Sequence, residues 1–502
     1  MLAAMWRRVA IAVALTAIVA YSFALRWQIL DATPFPTGID GYFYPVQLRA
    51  LLTHGHLQYP ASPLAFWFMA PFAAATDPII GAKLGAAIGG ALIALPAYLL
   101  GARIGRGWGA GLLAASLATF SAGSTYLTIE YVKNGIGLTV ALAALWLVLR
   151  AIETPSRGRL ITAVLAIVAA ILAHKMAAAI VIAIGAPAAL AAAIGRGVLR
   201  GRRLIYVIAG ASAALLVALI VGTLAPRRFV SPEDLRLVRG LFSSHAEWEL
   251  PALALKGYVL DLGHEALVGA ILAVGAAAAL VLGPRLAPAE RTVAWGSVVL
   301  GLAIAIPVIA VDDPQGLGFR LRLVAFVPRA LCAAILCGAL PFPASASRRS
   351  LRDVSCAAIA LVIALAAPRE DHIDGEIDTH PALVTSALAL SRQIPAGATA
   401  IVPERHIEYM IAWYADVAVS AQPGSIPRDQ RWRVLPGNFI HLGSPLDKAL
   451  MAARAERSIV APIGVHPRHP NGMVLVTEPT WEWLLARLPP ADRKHFAAWI
   501  TK

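Results

Sequence analysis

Charge is what this chain has least of: 14% of its 502 residues are Asp, Glu, Lys or Arg, while 59% are hydrophobic, and its mean hydropathy is +0.70. A soluble core of this size has no reason to be so uniformly apolar, and runs long enough to cross a bilayer recur through residue 368. The composition therefore excludes an ordinary soluble globule and describes a polytopic membrane protein. Cysteine is scarce as well. Cys332, Cys337 and Cys356 are the three in the chain and all fall in expected spans, which excludes a disulfide framework and metal-type spacing. There is no Walker A loop, no HExxH and no repeat of obvious fixed period.

What is there is a series of apolar segments with basic ends. The pattern predicts eleven transmembrane helices, near 6–26, 79–101, 108–124, 135–151, 159–173, 177–195, 204–225, 264–283, 292–311, 321–341 and 352–368. The first has the basic flank of a signal peptide and a weak cleavage-type match at Ser22-Phe23-Ala24. With so many spans following, it reads as a retained helix. With the amino terminus in the cytoplasm, the inside turns hold sixteen arginines against Glu153, Glu290 and Asp353, and the other side is nearly neutral. That asymmetry follows the positive-inside rule at every turn, so the net charge of +14 reports topology and gives no reason to expect a nucleic-acid partner.

An odd number of crossings places residues 369–502 outside. Alternating helix and strand signals there (ALVTSALALSRQI, ATAIVP, HIEYMIAWYA, SIVAPI, MVLVTE, WEWLLARL) predict a small extracytoplasmic α/β domain behind the polytopic domain 1–368. Residues 27–78 form a first external loop and 226–263 a long one. Within the first, SPLAFWFMAPF is too short and Pro-broken to span and reads as an interfacial or re-entrant segment. The richness in Ala, Gly and Arg points to a bacterial cytoplasmic membrane.

The unusual polar residues fall toward the outer face. Asp40 stands in the first external loop; Glu130, Lys133 and Asn134 stand between the third and fourth helices; His174 and Lys175 occupy the next outer turn; Asp312, Asp313, Arg320 and Arg322 flank the start of the tenth helix. Ionisable groups at a membrane edge are expensive and usually face a cavity or a partner, although each taken singly also reads as an ordinary loop charge. Glu130 and Lys133, three apart, can also simply pair. Two carboxylates from separate loops can hold Mg²⁺ or Mn²⁺ beside a substrate phosphate, with waters completing the shell. Arginines grip a phosphate by forked hydrogen bonds, and an unligated carboxylate can serve as general base. His54 and His56 read as surface loop histidines. In the outer domain, RDQRWRV and the pair Trp481 and Trp483 read as core packing before sugar stacking. The glycine-rich GARIGRGWGAG lies in a tight cytoplasmic turn after no strand and is no nucleotide loop. Gly81, Gly85 and Gly89 let helices approach closely.

GIDGYFYPVQLRALLTHG, an Asp followed by aromatics, an Arg nine residues on and a loop-ending Gly, resembles the first external loop of GT-C membrane glycosyltransferases. It looks most like the catalytic subunit of oligosaccharyltransferases. FSAGSTYLTIEYVKNGIG is similar to that family's second acidic metal-binding motif, His174 in ILAHKMAAAIVIA to a histidine that interrupts a helix in many GT-C enzymes, and Arg320 stands where the family contacts the lipid-linked phosphate. The resemblance implies that Asp40 and Glu130 are catalytic acids and ligands of a divalent cation. Taken with the outer-face charges, it makes Lys133, His174, Lys175, Arg320 and Arg322 the expected substrate-binding residues. The implied reaction is an inverting transfer of a sugar from a polyprenyl phosphate or pyrophosphate donor to a lipid, glycan or protein acceptor on the outer face. A single acid in the second motif and the lack of a WWDYG sequence leave an Asn-X-Ser/Thr acceptor outside what the resemblance implies. Two readings from other classes stand beside it: a transporter or lipid flippase gated by the same charges, and a membrane scaffold whose outer domain binds a partner.

Overall fold

The computed structural model describes residues 2–38, 40–197, 262–283, 286–305, 317–339, 346–367, 381–402, 404–415, 417–420, 424, 426–436, 440, 443–455 and 473–501. The expected helix 204–225, the long external loop up to residue 261, Asp312, Asp313 and the strand SIVAPI lie outside the described residues. The chain divides into two compact units. One comprises 1–32, 59–71 and 83–374; the other comprises 33–58, 72–82 and 375–502.

The first unit is helical. Its helices are α1 (Leu2–Asp31), α6 (Trp108–Thr119), α7 (Ala122–Ile129), α8 (Val132–Glu153), α9 (Arg157–Ala173), α10 (Lys175–Ile180), α11 (Ala186–Gly195), α12 (Leu262–Leu282), α13 (Pro288–Ala305), α14 (Leu317–Leu323), α15 (Phe326–Ala339) and α16 (Ala346–Leu365), together with α5 (Ala94–Ile104). α3 (Leu64–Ala75) and α4 (Pro78–Ala91) belong partly to each unit. Among the described residues four stretches are long and apolar enough to cross a membrane: Met5–Asp31, Pro78–Ile104, Val132–Glu153 and Lys175–Gly195. The bent pair α6 and α7 makes a fifth if it is one span. The expected span 108–124 is therefore a helix that turns by 46° after Thr119. Ser121 causes the restart, its hydroxyl accepting from Ser124 N at 3.2 Å.

Lipid provides no hydrophobic drive between such helices, so close packing of small residues holds them. A Cβ on Gly109 would overlap the carbonyl oxygen of Asp353, which brings the start of α6 against α16. The glycines of GARIGRGWGAG thus serve packing. Beside them Arg352 donates to the Arg106 carbonyl at 3.1 Å and to Asp353 at 3.2 Å. Arg103 joins three helices through Glu153 at 2.6 Å and Glu290 at 2.5 Å. Large apolar side chains stay exposed along α9, α12 and α16, among them Leu165, Ile271 and Val362, as a lipid-facing surface requires.

The second unit is built on a four-stranded sheet of order β2-β1-β3-β4, with β1 (Thr399–Ile401), β2 (Ala418–Ser420), β3 (Arg431–Pro436) and β4 (Met473–Thr477). β1 runs parallel to β2 and β3, and β4 antiparallel to β3 with Arg433 opposite Val476. α17 (Pro381–Ser391) and α18 (Arg405–Tyr414) share one core with the sheet, while α19 (Pro445–Ala455) and α20 (Glu478–Arg487) share a second; α21 (Pro490–Thr501) follows. RDQRWRV is a short 3-10 turn and strand, and its Arg433 forks onto Glu478 at 2.6 and 2.8 Å beneath the ring of buried Trp481. Trp481 is core. α2 (Phe43–His54), from the stretch expected as the first external loop, belongs to this unit and packs on α18.

Candidate functional site

Asp40 is placed by glycine. Gly38 has φ +83°, a conformation open to Gly at little cost, and Gly41 N closes the turn onto Gly38 O at 3.0 Å. A Cβ on Gly41 would stand 2.5 Å from the Thr37 carbonyl oxygen, so that position too must be Gly. Asp40 itself is half-buried, and its carbonyl accepts from Phe43 N at 3.0 Å as α2 begins.

The aromatics that follow are anchors. Tyr42 is fully buried in the core with α17, α18 and the sheet, its hydroxyl 2.8 Å from that of Tyr414; burial and that hydrogen bond push its phenol up. Phe43 meets Tyr409 at 5.0 Å between centroids. Arg49 donates to the carbonyls of Trp413 and Ala412 at 2.8 and 2.7 Å, meeting the C-terminal carbonyls of α18, and stacks over the Trp413 ring at 4.6 Å. The residues that surround Asp40 in sequence are thus spent on holding its turn to the unit's core, which leaves the carboxylate as the group with chemistry to offer. His54 and His56 stack on the exposed end of α2, their rings 5.9 Å apart.

Glu130 lies in the other unit. It follows α7 and precedes α8, its side chain buried and its amide donating to Tyr126 O at 2.9 Å. A carboxylate at the carboxy end of α7 is disfavoured by that helix's dipole, whereas the first turn of α8, one residue beyond Tyr131, offers backbone N–H groups and the favourable end of its own. Lys133 and buried Asn134 stand in that first turn. Arg320, on α14, places its guanidinium 5.4 Å from the ring centroid of Tyr131, so the start of the tenth expected helix and the second acidic motif come to one neighbourhood. Arg322 is buried at 3% exposure, and its Nε and Nη1, like Nε of Arg320, have no hydrogen-bond partner among the described residues. A buried guanidinium with free N–H groups is costly and suited to an anion.

His174 breaks α9 from α10 in an extended conformation, and its Nδ1 accepts from Met176 N at 3.2 Å. Lys175 is the first residue of α10. The break packs on α8 at Gly137, where a Cβ would lie 3.0 Å from His174 Cβ, one turn along α8 from Lys133. The first unit thus gathers Glu130, Lys133, His174, Lys175 and Arg320 around the start of α8, and Asp40 belongs to the second. Neither unit by itself fits a metal held by protein alone: among the described residues no group of three or more His, Cys, Asp or Glu is placed to hold one.

Sequence reasoning missed Arg26, the last residue of the first expected span. It is buried among Ser22, Thr119, Ser124 and Thr128, and a lone arginine ending an apolar helix was its signal.

No protein-family model and no curated protein sequence matches the chain. Solved structures do. Over 82% of this chain it is similar to the Archaeoglobus fulgidus oligosaccharyltransferase, crystallised with Zn and sulfate, at TM-score 0.51 and 14% identity; the chain spans 62% of that protein's length. ArnT from Cupriavidus metallidurans, in the apo state, matches over 98% of this chain and the whole of its own at TM-score 0.53 and 13% identity. At these identities the likeness is one of fold, which the chain shares with both proteins.

Proposed function

We propose that the chain is a GT-C glycosyltransferase of a bacterial cytoplasmic membrane that moves a sugar from a polyprenyl phosphate or pyrophosphate to an acceptor on the outer face. The observation that carries this reading is the match in fold to ArnT over 98% of this chain and the whole of that one. The chemistry of the outer residues supports it. Arg320 and Arg322 offer buried N–H groups that have no hydrogen-bond partner among the described residues and would take phosphate oxygens by forked hydrogen bonds. Lys133, His174 and Lys175, at the start of α8 and the neighbouring break, would complete the grip on the donor.

In this reading Asp40 takes the proton of the acceptor as its nucleophilic atom bonds to the anomeric carbon. The bond from that carbon to the phosphate oxygen breaks, and the oxygen leaves with the electron pair toward the arginines. One displacement inverts the anomeric centre. Glu130 completes the pair of acids. A divalent cation, Mg²⁺ or Mn²⁺, would instead take Asp40 and Glu130 as its protein ligands, with waters and phosphate oxygens for the rest of its shell, and Asp40 would then be ligand rather than base. Transfer that survives exhaustive treatment with EDTA removes the cation from the reading and leaves the acids in place.

Incubation of membranes containing the chain with labelled polyprenyl-linked sugars tests the proposal. A labelled product that depends on Asp40 supports it. Movement of intact labelled lipid between leaflets without a transfer product supports the flippase, and neither outcome supports the scaffold.

A further inference from the structure

Arg26 lies on α1 at 2% exposure, and all four groups that hold it are uncharged. Its Nε donates to Thr128 Oγ1 at 3.1 Å, its Nη2 to the Thr119 carbonyl at 2.7 Å and to the Ser124 hydroxyl at 2.9 Å, and its Nη1 to Ser22 Oγ. Gly90 on α4 provides the room: a Cβ there would stand 2.6 Å from Thr128 Oγ1 and 2.8 Å from Arg26 Nε. A guanidinium at this depth is a poor way to gain stability, because an apolar side chain of similar volume avoids the desolvation cost. What a planar fork supplies and an apolar residue does not is direction.

The direction concerns the bend. Thr119 is the last residue of α6, Ser124 and Thr128 lie on α7, and the two helices meet at 46°. One rigid group thus holds both arms, and Ser22 ties it back to its own helix. α7 ends at Ile129, so the place of Glu130 follows the axis of α7. Eight residues of helix are about 12 Å long, so a swing of roughly 10° carries Glu130 by about 2 Å. A misplacement of even about 1 Å at a reacting centre can cost about 100-fold in rate.

We infer that Arg26 is a positioning residue that sets the α6–α7 bend and through it the place of Glu130, an inference resting on the reading of Glu130 as an acid of the transfer site. Arg26→Lys keeps the charge and loses the fork. It is expected to insert at the wild-type level and to lower kcat about 100-fold while KM for the polyprenyl-linked donor stays within about threefold. A second readout needs no turnover. With Glu130→Cys in the wild-type and Arg26→Lys backgrounds, alkylation of that thiol by N-ethylmaleimide should be about tenfold faster in the latter. If Arg26→Lys does not accumulate, Ser124→Ala and Thr128→Val each remove one acceptor and carry the same comparison with smaller changes. Equal alkylation rates in both backgrounds overturn the inference. Faster alkylation in a chain whose wild-type form transfers no sugar leaves the positioning intact and removes the transferase reading.

Discussion

Arg49 and Trp413 are joined twice: the guanidinium donates to the Trp413 carbonyl at 2.8 Å and lies 4.6 Å from the centroid of its ring. A third contact, to the Ala412 carbonyl at 2.7 Å, completes the hold of α2 on the end of α18. Charged hydrogen bonds and ring stacking of this kind contribute about 2 to 3 kcal/mol together. Arg49→Ala should therefore destabilise the second unit by about that much, seen as faster proteolysis within residues 33–58 of the detergent-solubilised chain, and Arg49→Lys should recover less than half.

The pair Tyr42 and Tyr414 gives the second unit an alkaline limit. Burial raises both phenols, and their mutual hydrogen bond raises Tyr42 further. A raised folded value means that the folded state keeps its proton while unfolded tyrosine releases it near the usual value of about 10. Stability is then fully present below about pH 10 and falls as pH rises beyond it. Tyr42→Phe should flatten that alkaline fall in a thermal-unfolding series, at the cost of the hydroxyl contact at neutral pH.

Glu404, before α18, acts in the other range. Burial raises its carboxyl, and its Oε2 has no hydrogen-bond partner among the described residues. Its cost is absent while folded and unfolded forms are both protonated, and grows as pH rises from the ordinary carboxylate range through the raised folded value. Glu404→Gln should raise the melting temperature at pH 8 and leave it unchanged near pH 4.

Helix packing in the first unit depends on Gly109. Gly109→Ala drives a methyl into the Asp353 carbonyl and should lower the melting temperature by several degrees, a loss of about 1 to 3 kcal/mol. Gly158→Ala, where nothing stands within 4 Å, should not lower it.

Much of this architecture is readable in one sequence, and the reasons for the gaps are physical. The break at His174 was legible because basic turns on both sides forced two short segments where one long one would fit. The elements Pro381–Ser391, Thr399–Ile401, Arg405–Tyr414 and Met473–Thr477 announced themselves by local periodicity. α2 did not, because GYFYPVQLRALLTH has its aromatics at positions set by Tyr409 and Tyr414, more than 350 residues away. β3 hid for a similar reason: Arg433 breaks the apolar alternation in mid-strand, and the Glu478 and Trp481 that cover it lie more than 40 residues on. The bend after Thr119 carries hydrogen bonds from Arg26 on another helix, a contact that no window of local sequence contains. For the site, the residue types at the start of α8 were legible as outer-face anomalies, and the Arg320 to Tyr131 contact needed the fold.

The most direct test of the account is sugar transfer by membranes containing wild-type chain or Asp40→Asn, supplied with labelled polyprenyl-linked sugar and matched for inserted protein. The account predicts a labelled product from the wild type and a loss of at least about 100-fold in Asp40→Asn, the scale expected for removal of a general base. Undiminished transfer by Asp40→Asn would contradict it.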